Sequence, residues 1–260
     1  MTPVNIGDAA TPTFTGVPSI PFLAAALPSS HRPLEAAHIL ELFAAACRIR
    51  AELRAHSQRP PLRGKNLALL MDDPTTDPCV ILERAASDLG ARVAQVRHRH
   101  RAGTPNPDVV PMARTLGRMY DAIDCGALPA ATVREIEVAA GVPVYDGLGR
   151  DSHPLRVLAD LMTLHEHPLP PSIPLSIRFV GDAGSLQGKA FVSAARNIGF
   201  DVSAVDAAPG AANDAAFTVN AYGPSRWPIC TCAGAIDENR RAENHCHMIQ
   251  AVLVDSIGHA

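Results

Sequence analysis

Residues 62–91 read LRGKNLALLMDDPTTDPCVILERAASDLGA, and three patterns follow one another within them. Asn66 to Met71 is an apolar run without alternation, as a strand shows when both its faces are buried in a parallel sheet. DDPTTDP interrupts it with turn-forming residues, and VILERAASDLG then returns to helical spacing. Strand, loop and helix in that order form the repeating unit of an α/β sheet.

The same alternation extends outward in both directions. Upstream, PLEAAHILELFAAACRIRAELRAHS (33–57) sets Leu34, Ile39, Leu42, Phe43, Cys47 and Ile49 mostly three or four apart, with a proline suited to a first turn, and predicts one long amphipathic helix. Downstream, strands are expected at Ala91–Val96, Ala122–Asp124 and Val142–Tyr145, with helices at 108–120 and Thr132–Ala140 between them. HPLRVLADLMTLHEH (153–167) is a further helix, and PLPPSIP (168–174) reads as a linker. A second unit follows: strand Leu175–Val180, glycine-rich turn GDAGSLQG, helix Lys189–Gly199, strand Phe200–Val205. Ala215–Val219 is another strand, 220–240 reads as irregular, and Ala242–Ile257 as a terminal helix. The expected fold class is α/β, with two domains each built on a parallel sheet flanked by helices.

Composition narrows the function classes. The 260 residues are 47% hydrophobic and 19% charged, enough apolar mass for a substantial core. Twenty-three Lys+Arg against 26 Asp+Glu give net −3, so no single-signed field favours nucleic acid or an anionic membrane, and a small molecule is the expected partner. No apolar run approaches the roughly 18 residues of a spanning helix, and the first thirty residues lack the pattern of a secretory leader; a cytoplasmic location is expected. The six cysteines, at 47, 79, 125, 230, 232 and 246, are too scattered for a disulfide scaffold and are read as thiols. Prolines cluster at 3–33 and 168–174, and residues 1–32, apart from the apolar Ile20–Leu27, read as a surface arm.

Five stretches in order resemble the ornithine/aspartate carbamoyltransferase family, most nearly its ornithine branch: residues 62–91, ARTLGRMYDAID, GVPVYDGLGRDSHPLRVLADLMTLHEH, RFVGDAGSLQG and AENHCHMIQAVLV. The resemblance implies a carbamoyl-phosphate-binding-like domain at 33–167 and a shortened amino-acid-binding-like domain at 168–240. A C-terminal helix, 241–260, would pack back on the first domain. It also implies a homotrimer with sites between subunits; no cofactor or metal is expected.

The family's chemistry rests on positive charge, because carbamoyl phosphate is a dianion held by guanidinium forks and a helix N-terminus. Its loop reads P-S-T-R-T-R; here it reads Pro74-Thr75-Thr76-Asp77-Pro78-Cys79. The hydroxyls remain, while Asp77 and Cys79 stand where arginines belong and Pro78 removes a backbone donor. After Asp124 the family has another arginine, and this chain has Cys125-Gly126. In the HPxQ motif His153 and Pro154 match, and Arg156 replaces glutamine. On the acceptor side GDAGSLQGK offers Asp182, Ser185 and Lys189 without the family's asparagine pair. The D-x-x-x-S-M-G loop and HCLP are absent, with Val219, Asn220 and Ala221 in the place of HCLP if AAFTVNAYG is the matching strand; WPICTC offers a rival register.

Each candidate has a plainer reading beside the functional one. Thr75 and Thr76 could hold an anion or simply cap a helix; Asp77 could be a catalytic base or a solvated capping carboxylate. His153 could face the reacting carbonyl or begin a surface helix, and Arg156 could clamp an anion or lie on the surface. Asp182, Ser185 and Lys189 sit where α/β ligands gather, yet also fit an ordinary strand-to-helix turn. Cys230 and Cys232 with His245, Cys246 and His247 suggest a metal, but consecutive helical residues do not face one point. Arg97–Arg101 is a basic run that reads as a solvated loop, and Cys47 as core. The expected function is a transferase-like enzyme, rebuilt to bind an amino-acid-like metabolite. A non-catalytic paralogue assembling with a biosynthetic protein partner and an ordinary ornithine carbamoyltransferase are the alternatives.

Overall fold

Alternate residues of the strand Asn66–Met71 (β1) enter two different cores. Leu67, Leu69 and Met71 join one cluster, and Ala68 and Leu70 join another on the opposite face. A strand places successive side chains on opposite faces, so covering both sides demands the unbroken apolar run. These features belong to a computed structural model that describes residues 35–55, 60–71, 77–97, 108–126, 128–205, 215–223 and 226–258, with the backbone alone at 77–79. The arm with Ile20–Leu27, Thr75, Thr76 and the basic residues 98–101 lie outside the described residues.

The first sheet has the order β2-β1-β3-β4 and is parallel throughout, with β2 at Arg92–Arg97, β3 at Ala122–Asp124 and β4 at Val144–Tyr145. Helices Val109–Met119 (α3) and Ala130–Ala140 (α4) bury Val109, Ala113, Leu116, Val133 and Ile136 on one face. The other face is covered by Ala36–Ala55 (α1) and Asp77–Asp88 (α2), through Ile39, Leu42, Leu82 and Ala85.

Helix α5, Pro154–His165, is buried without interruption from Leu155 to Leu164. Such a helix needs partners on all sides. It packs on Leu186–Asn197 (α6) and Glu238–Ile257 (α7), and its apolar residues share one cluster with Leu67 of the first sheet and Phe179 of the second. Helix α7 in turn packs on α1, α2 and α5.

The second sheet departs from the all-parallel expectation. Its order is β6-β5-β7-β8-β9, with β5 (Ser176–Gly181), β6 (Asp201–Val205) and β7 (Phe217–Ala221) parallel. Ile229–Thr231 (β8) and Gly234–Ala235 (β9) are antiparallel. Residues 222–228 are too few for a crossover, which takes about a dozen, so β8 must return beside β7. The stretch expected to be irregular is therefore an edge hairpin, whose strands are too short for periodicity to mark. Two helices also start earlier than apolar spacing suggests. Ser185 caps α6, its Oγ accepting from Gly188 N–H at 3.0 Å, and Leu186 escapes the pattern because it is exposed. Asp237 likewise caps α7, accepting from Asn239 N–H at 3.0 Å. Among the described residues no helix is long and apolar enough to cross a membrane.

Candidate functional site

The carboxyl edge of the first sheet is held together by one buried carboxylate. Asp124, the last residue of β3, accepts from Gly126 N–H and Leu148 N–H, each at 2.9 Å, and so ties the turn after β3 to the loop after β4. Burial pushes its pKa up to about 6, against the pull of those two donors. Cys125 is fully buried beside it, and burial pushes its thiol up as well. Gly126 has φ +55°, and a Cβ there would stand 2.5 Å from the Leu70 carbonyl oxygen. Of the pair Cys125-Gly126 that stands where the family resemblance sets an arginine, Cys125 is buried and Gly126 leaves no room for a side chain.

The loop 146–153 leads from that edge into α5. Gly147 has φ +72°, and a Cβ on it would meet the Gly126 carbonyl at 2.3 Å and the Arg150 Cδ at 2.4 Å, so the Arg150 stem lies over a bare backbone. On the other side the Leu148 carbonyl accepts from His245 Nε2 of α7 at 3.1 Å, which puts the His245 proton on Nε2. Burial lowers the His245 pKa to about 3, with Arg156 and His153 adding to the effect. Asp146 keeps Oδ1 buried without a hydrogen-bond partner among the described residues. The half-buried Arg150 guanidinium has neither hydrogen bond nor ion pair among them. Its charge nevertheless acts on Asp124, Asp146 and His153.

His153 is the N-cap of α5: its Nδ1 accepts from Leu155 N–H at 3.1 Å, leaving the proton on Nε2. It is buried, and burial and then Arg150 lower its pKa to about 4, so the imidazole is neutral at pH 7. Arg156, one turn on, does not accompany it to the sheet edge. Its side chain is 4% exposed and bonds Glu238 of α7 at 2.6 Å, with Asp160 3.4 Å away. Arg241 completes this cluster through two 2.9 Å bonds to Asp160 and one of 2.6 Å to Glu238. Asp77 begins α2, with its side chain outside the described residues, as are Thr75 and Thr76.

At the second sheet, Asp182 and Ser185 form a local turn. Asp182 Oδ1 accepts from Gly184 N–H at 2.8 Å, and Ser185 Oγ donates to the Asp182 carbonyl at 2.8 Å. Lys189 is exposed in the first turns of α6. The two sheet edges meet through Asp151, whose carbonyl accepts from Gln187 Nε2 at 3.2 Å and whose carboxylate accepts from Arg226 at 2.6 Å. Cys230 and Cys232 lie on the hairpin, His245 faces Leu148, and His247 bonds Gln250 at 2.8 Å. Among the described residues no three potential metal ligands gather.

A cleft of 440 Å³ opens at the other end of α5, between Thr163, Glu166, His167, the β8–β9 hairpin and Arg240. It lies a helix length, roughly 18 Å, from His153. The Glu166 carboxylate there is already bonded by Arg50, Arg240, Asn244 and Cys47.

Sequence reasoning passed over Asp124, Asp146 and Arg150, and weighed His245 only as a metal ligand. Asp124 carried a signal, a charge ending an otherwise apolar strand at the edge where α/β ligands gather. Arg150 and Asp146 carried none beyond lying in the loop before the helix.

The family described as aspartate/ornithine carbamoyltransferase, carbamoyl-P binding domain, matches residues 29–166. An ornithine carbamoyltransferase of Haemophilus influenzae (strain PittGG) is 34% identical over 148 residues, covering 57% of this chain and 44% of that protein. One of Cutibacterium acnes is 34% identical over 146 residues, covering 56% and 44%. The chain thus matches less than half the length of these relatives. Among solved structures, ornithine carbamoyltransferase from Pyrococcus furiosus superposes with TM-score 0.60 at 21% identity, covering 87% of this chain and 95% of that one. The Thermus thermophilus enzyme gives 0.56 at 20%, covering 89% and 98%. At such identities the superpositions speak for the fold alone.

Proposed function

Since this chain belongs to the aspartate/ornithine carbamoyltransferase family, we propose that it is a transferase-like protein of amino-acid metabolism whose donor site is rebuilt to take an amino-acid-like metabolite in place of carbamoyl phosphate. The charge balance at the first sheet's carboxyl edge carries this reading. Gly126 leaves no room for a side chain, Arg156 is committed to Glu238 and Asp160, and Asp124 and Asp146 lie within reach of the charge of Arg150, whose guanidinium is unpaired among the described residues. Among the described residues of that edge, a dianion would meet two carboxylates and one cation. His153, neutral with its proton on Nε2, is the proposed proton-handling group together with Asp77, and Thr75, Thr76, Asp182, Ser185 and Lys189 are the proposed ligand contacts.

The proposed organisation is an arm (1–32), a first domain (33–167), a shortened second domain (168–240) and a closing helix (241–260), assembled as a cytoplasmic homotrimer. The buried Cys125 favours a second reading, a non-catalytic paralogue acting in a complex with a biosynthetic protein, because an apolar group has replaced a polar one there.

Calorimetry on the full chain with carbamoyl phosphate and a panel of basic and neutral amino acids tests the reading, beside a citrulline assay. The expected outcome is amino-acid binding, weak or absent carbamoyl phosphate binding that Asp77→Arg strengthens, and no citrulline. Citrulline formation near the enzyme median of ~10 s⁻¹ would mean an ordinary ornithine carbamoyltransferase. Light scattering that reports a monomer at micromolar concentration would remove the trimer.

A further inference from the structure

We infer that the loop 146–153 is itself a binding element, in which Arg150 takes a carboxylate and Asp146 takes a hydrogen-bond donor adjacent to it on the same ligand. The inference rests on the reading above and goes further by naming the head group and the two residues that select it. Neither residue lies in the phosphate loop or in the HPxQ motif.

Three observations carry it. Asp146 Oδ1 is buried with no donor among the described residues, a costly state for a carboxylate oxygen unless a ligand supplies the donor. Arg150 lies close enough to lower the Asp146 pKa, yet the two do not close into an ion pair, so neither uses up the other's capacity. The backbone between them is fixed at several points. Leu148 N–H is held by Asp124 and Leu148 C=O by His245, while Arg150 N–H donates to Gly147 C=O at 3.0 Å and Arg150 C=O accepts from His153 N–H at 3.0 Å. A cation and an anion on a short, pinned loop form a preorganised bipolar clamp, which loses little freedom on binding.

The local charge sets the class of ligand. Asp124 and Asp146 against Arg150 leave the group one negative charge in excess, with both neighbouring histidines neutral. A planar carboxylate can accept a guanidinium fork, and a donor beside it is drawn to Asp146. A phosphate dianion gains the same fork but meets two carboxylates.

The test uses the full chain and three probes: L-norvaline, pentanoate, which keeps the carboxylate and lacks the ammonium, and inorganic phosphate. Wild type is expected to bind L-norvaline more tightly than pentanoate, and pentanoate more tightly than phosphate. Arg150→Gln should weaken L-norvaline by about 10- to 100-fold, the scale of a charge-assisted pair, and Arg150→Lys should weaken it less. Asp146→Asn should weaken L-norvaline, spare pentanoate and strengthen phosphate. Thermal melting within a degree or two of wild type would show each variant folded; should Asp146→Asn unfold, the pentanoate comparison in wild type tests the same contact. An unchanged L-norvaline affinity in Arg150→Gln, or phosphate as the tightest ligand of wild type, overturns the clamp. If basic amino acids bind while L-norvaline does not, the clamp falls and the reading above stands. If no amino acid binds, both fall.

Discussion

The two ends of helix α5 carry similar side chains in opposite conditions. At the far end the Glu166 carboxylate accepts from Arg50 at 2.6 and 3.1 Å, from Arg240 at 2.7 Å and from the Cys47 thiol at 3.2 Å. Burial would raise its pKa, but these donors hold it down to about 2. At the near end Arg150 and Asp146 lie within reach of each other's charge and remain open. A closed network fixes α1, α5 and α7 together and has nothing left to offer a ligand. Open charges forgo that stability and keep their capacity for one. The difference lies in partners, not residue types, and it separates framework from candidate site within one helix.

The comparison can be broken by removing partners. Arg241→Ala strips the buried Asp160 of its bidentate partner on the framework side and should cost about 3–5 kcal/mol, read from the urea midpoint at neutral pH. A smaller loss would mean that Arg156 compensates. Acid acts next. His153 and His245 have folded pKa values of about 4 and 3 against 6.5 unfolded. The stability they contribute is therefore present above 6.5 and is lost as pH falls toward 4. Asp124 runs the other way, because its folded pKa of about 6 exceeds 3.8. Its contribution is full below 3.8 and is lost as pH rises through 6. Two groups against one leave a net loss on the order of 4 kcal/mol by pH 4, which His245→Gln should reduce. A flat urea midpoint from pH 7 to 4 would contradict this assignment.

Glu166→Ala, at the closed end, should cost about 2 kcal/mol and leave ligand binding at the other end unchanged. Arg150→Ala should change stability by less than about 0.5 kcal/mol, because its guanidinium makes no hydrogen bond or ion pair among the described residues and its charge opposes His153 protonation while favouring ionised Asp124. A loss above about 2 kcal/mol in that variant would place Arg150 with the framework and erase the contrast.

How legible these features are in the sequence depends on the range of the interactions behind them. β1 is legible because burial on both faces writes itself into six consecutive residues, and α1 because one face buries Ile39, Leu42, Phe43, Ala46 and Ile49. The β8–β9 hairpin is not, since strands of three and two residues hold no period. His153 and Arg156 share a helix face by spacing, yet Arg156 turns to Glu238, 82 residues away in sequence. Nothing local in HPLR announces that partner. Asp124 stands between these cases: its position is readable, while the backbone donors it serves come from turns whose shape only the fold fixes.

Helix α7 has a consequence for the order in which the protein can be made. Its Met248, Ile249, Val252 and Leu253 complete the same apolar cluster as Leu67 and Leu82, though the whole second sheet intervenes in the chain. During synthesis that face of the first sheet must wait, partly uncovered, until residues 238–257 have left the ribosome. Contacts of such long sequence separation slow folding and expose sticky surface meanwhile. The nascent chain is thus a natural client for chaperones, and a ribosome stalled before α7 should carry a first sheet open to proteases that the finished chain resists.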